Sequence, residues 1–254
     1  MTGVPGAGWR RSLRVGRRLG RRGAGVRIPK GRPLATADAN AAVALADRRY
    51  GRDTHQFGRV ANLSDGVFAI ALTLLVFSLD RPDVPADQLG RALIGHLPQL
   101  GVVVLGFLLI AQVWWYHHRF LGVLRTVEPG LIVINLALLG VVALAPYAID
   151  VLGSAPTASA AVIQFALVFM GMTALYLGLL LRAQAIDAWL HPMKTRTFWW
   201  IAATWVAMLA SHAVVVLVAL VNPVVAIVVL AASGTVIGFL MAWFAPKAYH
   251  DWGV

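Results

Sequence analysis

The sequence contains no cysteine, which removes disulfide frameworks, thiolate metal sites and cysteine nucleophiles from consideration. Charge is scarce too. Only 13% of the 254 residues are Asp, Glu, Lys or Arg, about half the share of an ordinary soluble domain. No nucleophile–base pair and no cluster of ligating residues falls on one helical face, so an enzyme is the weakest reading. His117 and His118 are adjacent, so on a helix they point about 100° apart. No third ligand is near in sequence; no fixed metal site and no cofactor is expected. What is abundant is apolar: 59% of residues are hydrophobic, with a mean hydropathy of +0.74. Those values describe a multi-span helical membrane protein.

The net charge of +11 is placed unevenly. Residues 1–60 hold 14 of the 22 Lys and Arg and 3 of the 11 acids, so the remainder of the chain is neutral. Arg10, Arg11, Arg14, Arg17, Arg18, Arg21, Arg22, Arg27, Lys30 and Arg32 sit among glycines and small residues. No apolar h-region follows them, so no secretory signal is expected. Residues 1–55 are therefore expected to form a basic, disordered cytoplasmic tail lying near anionic lipid. Residues 56–250 are expected to form a six-helix membrane domain. Stacking aromatics are missing from the tail apart from Trp9, so nucleic acid is not an expected partner. An alternative for this region is a true start nearer residue 50.

A span needs about 20 mainly apolar residues. Six such stretches occur, at 62–79, 97–117, 130–149, 159–181, 198–221 and 224–245. Asp80 to Pro85 ends the first, Glu128-Pro129-Gly130 opens the third, and Gly153 to Pro156 separates the third from the fourth. Asn222-Pro223 turns the fifth into the sixth. Orientation follows from Lys and Arg. One side receives the tail, Arg119, Arg125, Arg182, Lys194, Arg196 and Lys247; the other receives Arg81 and Arg91. The expected fold is an all-α membrane protein with six transmembrane helices and both termini cytoplasmic. No internal repeat is visible, which weighs against an inverted-repeat transporter.

Ionisable groups within spans are costly and mark function. Arg59 and Asp65 open span one, His117 ends span two with His118, and His212 lies inside span five. For His212 a hydrogen-bonded packing role outweighs a proton site. On a helical wheel of span one, Ile70, Leu74 and Phe77 form one narrow apolar stripe. Ser64 and Asp65 fall more than about 100° away from it. Asp65 is expected to find a partner on a neighbouring helix, with His117 and Arg119 as the candidates at that level. On spacing alone, the stripe is first a packing surface, and Trp114 to Arg119 is first an interfacial anchor.

Three segments change those weights. Arg59-Val-Ala-Asn-Leu63-Ser64-Asp65 resembles the Arg-x-x-x-Phe-Ser-Asp signature of the transmembrane protein 175 family of potassium channels. Trp114-Trp-Tyr-His117-His118-Arg119 resembles that family's Trp-x-x-His-x-Arg run at the end of helix two. Asn135-Leu136 followed by Ala145-Pro146-Tyr147 resembles its third helix. One position departs from the pattern: Leu63 stands where the signature has Phe, keeping the apolar character without the ring.

The resemblance implies a pore lined by the first helix in a homotetramer. The hydrophobic constriction would fall on Ile70, with further rings at Leu74 and Phe77 and Thr73 beside it, in place of a carbonyl filter. Arg59, Ser64, Asp65, Trp114, His117 and Asn135 would form the polar network joining helices one to three. Extrapolated along the wheel, Arg59 also lies on the Ile70 stripe. The implied function is a potassium-selective, leak-like cation channel in the plasma membrane, with potassium, a second copy of the chain and the lipid bilayer as partners. The rivals are a proton-coupled secondary transporter and a non-transporting membrane scaffold.

Overall fold

A chain crossing lipid must satisfy its backbone hydrogen bonds within each segment, and a helix does so. The apolar stretches are helical accordingly. The computed structural model describes residues 49–79 and 82–244, apart from the side chains at positions 98, 235, 238, 241 and 242. The Arg-rich segment 1–48, and Asp80, Arg81 and Lys247, lie outside the described residues.

In chain order the elements are β1 (Tyr50–Gly51), α1 (His55–Leu74) with a 3-10 turn over Leu75–Ser78, the short α2 (Leu89–Gly95), α3 (Leu97–Gly122), β2 (Thr126–Val127), α4 (Pro129–Val142), α5 (Ala145–Ser154), α6 (Ser159–Ala185), α7 (Thr195–Ala219) and α8 (Pro223–Trp243). Among the described residues, five helical segments are long and apolar enough to cross a membrane: His55–Ser78, Gln99–Gly122, Pro129–Ser154, Ser159–Ala185 and Thr195–Ala219. The last helix, α8, has 21 residues and carries the apolar stretch Pro223–Gly234.

The helix ends follow local chemistry. α1 starts about two turns before its apolar run, because Thr54 caps it. The Thr54 hydroxyl accepts from the Phe57 N–H and donates to the Gly51 carbonyl at 2.6 Å, as N-cap threonines do. Glu128 caps α4 by accepting from the Leu131 N–H, with Pro129 in the first turn. Asn222 caps α8 through Val225 N–H. α6 ends in a Schellman arrangement: Asp187 adopts φ 51°, while Ala188 N–H reaches Ala183 O and Asp187 N–H reaches Gln184 O.

The third apolar stretch is not the single helix expected over 130–149. It breaks at Ala143–Leu144 and restarts as α5. Pro146 lies in the first turn of α5 and has no N–H for the carbonyl one turn back.

α6 is the central helix, packing against α4, α5, α7 and α8, whereas α1 packs on α3 and α4. α3 and α5 meet through glycines. A Cβ at Gly106 would lie 2.6 Å from Ile149 Cγ2, and one at Gly153 would lie 2.8 Å from Val102 Cγ1. Small residues at such crossings let backbones approach.

One end of the helices is laced together by backbone pairing. β1 and β2 are antiparallel, with Tyr50 opposite Val127. Arg125 N–H donates to Ala188 O, and Leu190 N–H to Val123 O. The guanidinium of Arg52 meets the last carbonyl of α3 at Gly122, and that of Arg49 meets the Ile186 carbonyl ending α6. Cations at helix C-termini complement the helix dipole.

Candidate pore helix and its polar joint

α1 has two faces. Phe57, Ser64, Phe68, Ala71 and Leu75 are buried, separated by seven, four, three and four residues, the spacing of one helical face. Across the helix, Ile70 is 58% exposed, Leu74 40% and Phe77 82%, and Thr73 and Arg59 are exposed too. The Thr73 hydroxyl donates to the Ile70 carbonyl at 2.9 Å, so it is satisfied by its own helix. The stripe of large apolar side chains therefore takes little part in packing within its own chain.

The stripe also differs from the one read off an α-helical wheel. From Leu75 the backbone is 3-10, with three residues per turn and about 2 Å rise per residue. Phe77 consequently stands in line with Leu74 instead of swinging back past Ile70. It also sits farther along the axis than continuous α-helix would place it.

A polar joint holds the other face. Ser64 is completely buried; its hydroxyl donates to Val60 O and accepts from Asn135 Nδ2 of α4 at 3.0 Å. Asp65 accepts from the indole N–H of Trp114 on α3 at 2.9 Å. Its partner is on span two, but it is neither His117 nor Arg119. His117 is fully buried between the rings of Phe68 and Tyr176, at 5.5 and 5.8 Å. Neither its ring nitrogens nor Asn135 Oδ1 meet a partner among the described residues. Arg119 lies over the Trp115 ring, 5.7 Å from its centre, and His118 stacks on Trp115 and lies tilted against Trp114. Arg59 makes no hydrogen bond or ion pair among the described residues. Thus Ser64, Asn135, Asp65 and Trp114 are brought together in two pairs, His117 packs between them and α6, and Arg59 stands apart. His212 donates from Nδ1 to Met208 O of its own helix, 2.7 Å away, as a packing histidine does.

Several supports were not anticipated from sequence. Tyr176 donates its hydroxyl to Val113 O of α3 at 3.0 Å and stacks on Trp205 at 4.9 Å. Arg182 Nε meets Glu128 Oε1 at 2.7 Å, with the carboxylate 5% exposed. This guanidinium holds the Glu128 carboxyl below its ordinary value, because its hydrogen bond favours the charged form. The Glu128-Pro129-Gly130 start signal pointed to the cap, but nothing in sequence tied it to Arg182, 54 residues away. Among the described residues no three His, Cys, Asp or Glu side chains gather as a metal site.

Comparison with known proteins falls on these same helices. The profile of the family described as endosomal/lysosomal potassium channel TMEM175 matches residues 59–146. A protein of Streptomyces collinus named a potassium channel is 39% identical over 95 residues, 37% of this chain and 46% of the relative. A protein of Gallus gallus named endosomal/lysosomal proton channel TMEM175 is 23% identical over 148 residues, 58% of this chain and 28% of the relative. This chain thus spans less than half the length of either relative. The crystal structure of a Chamaesiphon minutus protein, described as a homologue of a lysosomal potassium-selective channel TMEM175, superposes with a TM-score of 0.60 at 21% identity. It covers 74% of this chain and 99% of the other, which establishes a shared fold. The chain is a multi-pass helical membrane protein, and its residues 59–146, which contain both pairs of the polar joint, match the TMEM175 family.

Proposed function

We propose that the chain is one subunit of a potassium-selective, leak-like cation channel of the plasma membrane. Four copies would place α1 around a common axis, with six spans per copy and both termini cytoplasmic. The observation that carries this reading is the exposed Ile70, Leu74 and Phe77 face on the helix whose opposite face is fastened by the Ser64–Asn135 and Asp65–Trp114 pairs. One helix cannot enclose a path, so the face must be completed by other copies. The names of the bacterial relative and of the Chamaesiphon minutus homologue support potassium as the permeant ion.

In this arrangement the apolar rings gate by dewetting: a narrow apolar segment excludes water, and a hydrated cation does not cross it. Widening at Ile70 admits partly dehydrated ions. Potassium, the larger ion, loses its hydration shell at lower cost than sodium, so selectivity arises without a carbonyl filter and is modest. Asp65 and Trp114 hold α1 on α3, and Ser64 with Asn135 holds it on α4. These joints keep the apolar face toward the axis.

The test is flux from potassium-loaded liposomes containing the purified chain, followed with an internal pH dye. A channel gives flux that follows the potassium gradient without saturating. Flux that saturates and follows the pH gradient would make the chain a proton-coupled transporter, and no flux would leave a scaffold. A proton current without potassium would align it with the chicken relative's name.

A further inference from the structure

The most exposed large side chain of the α1 stripe is Phe77, at 82%. Packing within the chain therefore does little to hold it, and its place is set by the backbone that carries it. That backbone is the last 3-10 turn, Leu75–Ser78. Helix ends leave carbonyls without intrahelical partners, and in lipid such a group needs one. The Ser78 carbonyl, one residue beyond Phe77, finds its partner on α3. Gln99 Nε2 donates to it at 2.7 Å across 21 residues of sequence. The other end of the same amide is also held, since Gln99 Oε1 lies 3.0 Å from His96 Nδ1 and accepts its proton. The Gln99 side chain is thereby oriented from one side and fastens the end of α1 from the other.

We propose that Gln99 is a positioning residue for the ion path, a latch that ties the outer 3-10 turn of α1 to α3 and keeps the Phe77 rings apart. This rests on the reading of α1 as the helix that surrounds the axis. The physical argument concerns what an untied turn does. Apolar rings facing one another across a narrow wet path lose exposed surface by closing together. A 3-10 turn, with its poorer hydrogen-bond geometry, is the part of α1 that yields most easily. The Gln99 amide opposes that closure through the Ser78 carbonyl. Releasing it brings the four Phe77 positions toward the axis and lowers conduction, while selection at Ile70 is left as it was.

The absence of cysteine allows a direct test in the full chain. Phe77→Cys gives a single thiol per subunit, and mild oxidation in membranes reports how often two copies meet. Adding Gln99→Met, which keeps the length and removes the amide, is expected to raise the rate of cross-linking about fivefold, the bias a single hydrogen bond exerts on a two-state equilibrium. Gln99→Glu keeps an acceptor for His96 but has no N–H for Ser78, and is expected to do the same. In chains with Phe77 intact, Gln99→Met lowers potassium flux by a similar factor. Assembly is checked by gel filtration, and Gln99→Glu stands in if Gln99→Met does not assemble. Equal cross-linking with and without the amide, in assembled protein, overturns the latch alone. No cross-linking in either form means that copies of α1 do not meet, and the pore reading falls with it.

Discussion

Ser64 gives its proton to Val60 and receives one from Asn135, so this pair allows a count of single atoms. Asn135 Oδ1 already has no partner among the described residues. Ser64→Ala leaves the Asn135 Nδ2 unpaired as well, and costs about 1 to 3 kcal/mol, the range for stranding a buried polar group. Adding Asn135→Leu removes the stranded amide and restores part of the loss. Thermal melts of the three variants in detergent check this; a double variant less stable than Ser64→Ala contradicts it. Glu128 makes a prediction in pH. Its folded-state value is held below the ordinary 4.5, first through the hydrogen bond from Arg182. The stability this contributes is present above the unfolded value and is lost as pH falls through the folded one. The melting temperature of the natural chain is expected to fall more steeply below about pH 4.5 than that of Glu128→Gln. Parallel slopes for the two chains would remove Glu128 as the cause.

At the scale of elements, packing between α3 and α5 depends on two glycines. Gly106→Ala places a Cβ 2.6 Å from Ile149 Cγ2, an overpacking that costs about 1 to 3 kcal/mol. Ile149→Ala in the same chain makes room and recovers stability relative to Gly106→Ala alone. Melts that show no cost for Gly106→Ala would mean the crossing is looser than described. The sequence made some of these elements legible and hid others. Regular α-helix has a fixed period, so the exposed Ile70–Leu74 face was readable from spacing. The 3-10 turn that brings Phe77 into line with Leu74 was not readable, because no Gly or Pro in 71–78 announces it. Pro146 sat in plain view, yet an apolar run says nothing of a break within it. The partner of Asp65 was assigned to His117 or Arg119 because Trp114, His117 and Arg119 share one helix end and span spacing does not rank them. Contacts such as Gln99–Ser78 and Glu128–Arg182 join side chains and carbonyls far apart in sequence. Periodicity along one segment carries no information about them.

For the whole molecule, the uneven charge and the apolar body lead to the same arrangement. The described arginines Arg49, Arg52, Arg125 and Arg182 gather at one end of the helices through named contacts. In the proposed orientation, which follows the excess of Lys and Arg, that end faces the cytoplasm. α1 runs from this laced end to the Gln99 latch, fastened on its buried face along the way. What remains unfastened is the Ile70 side, and the central claim is that ions pass there. The most direct measurement is the potassium-over-sodium permeability ratio of Ile70→Asn in reconstituted vesicles. A polar ring at the constriction hydrates the path and removes the dehydration step that distinguishes the two ions. The account predicts a lower ratio with assembly intact. An unchanged ratio in assembled channels would contradict it.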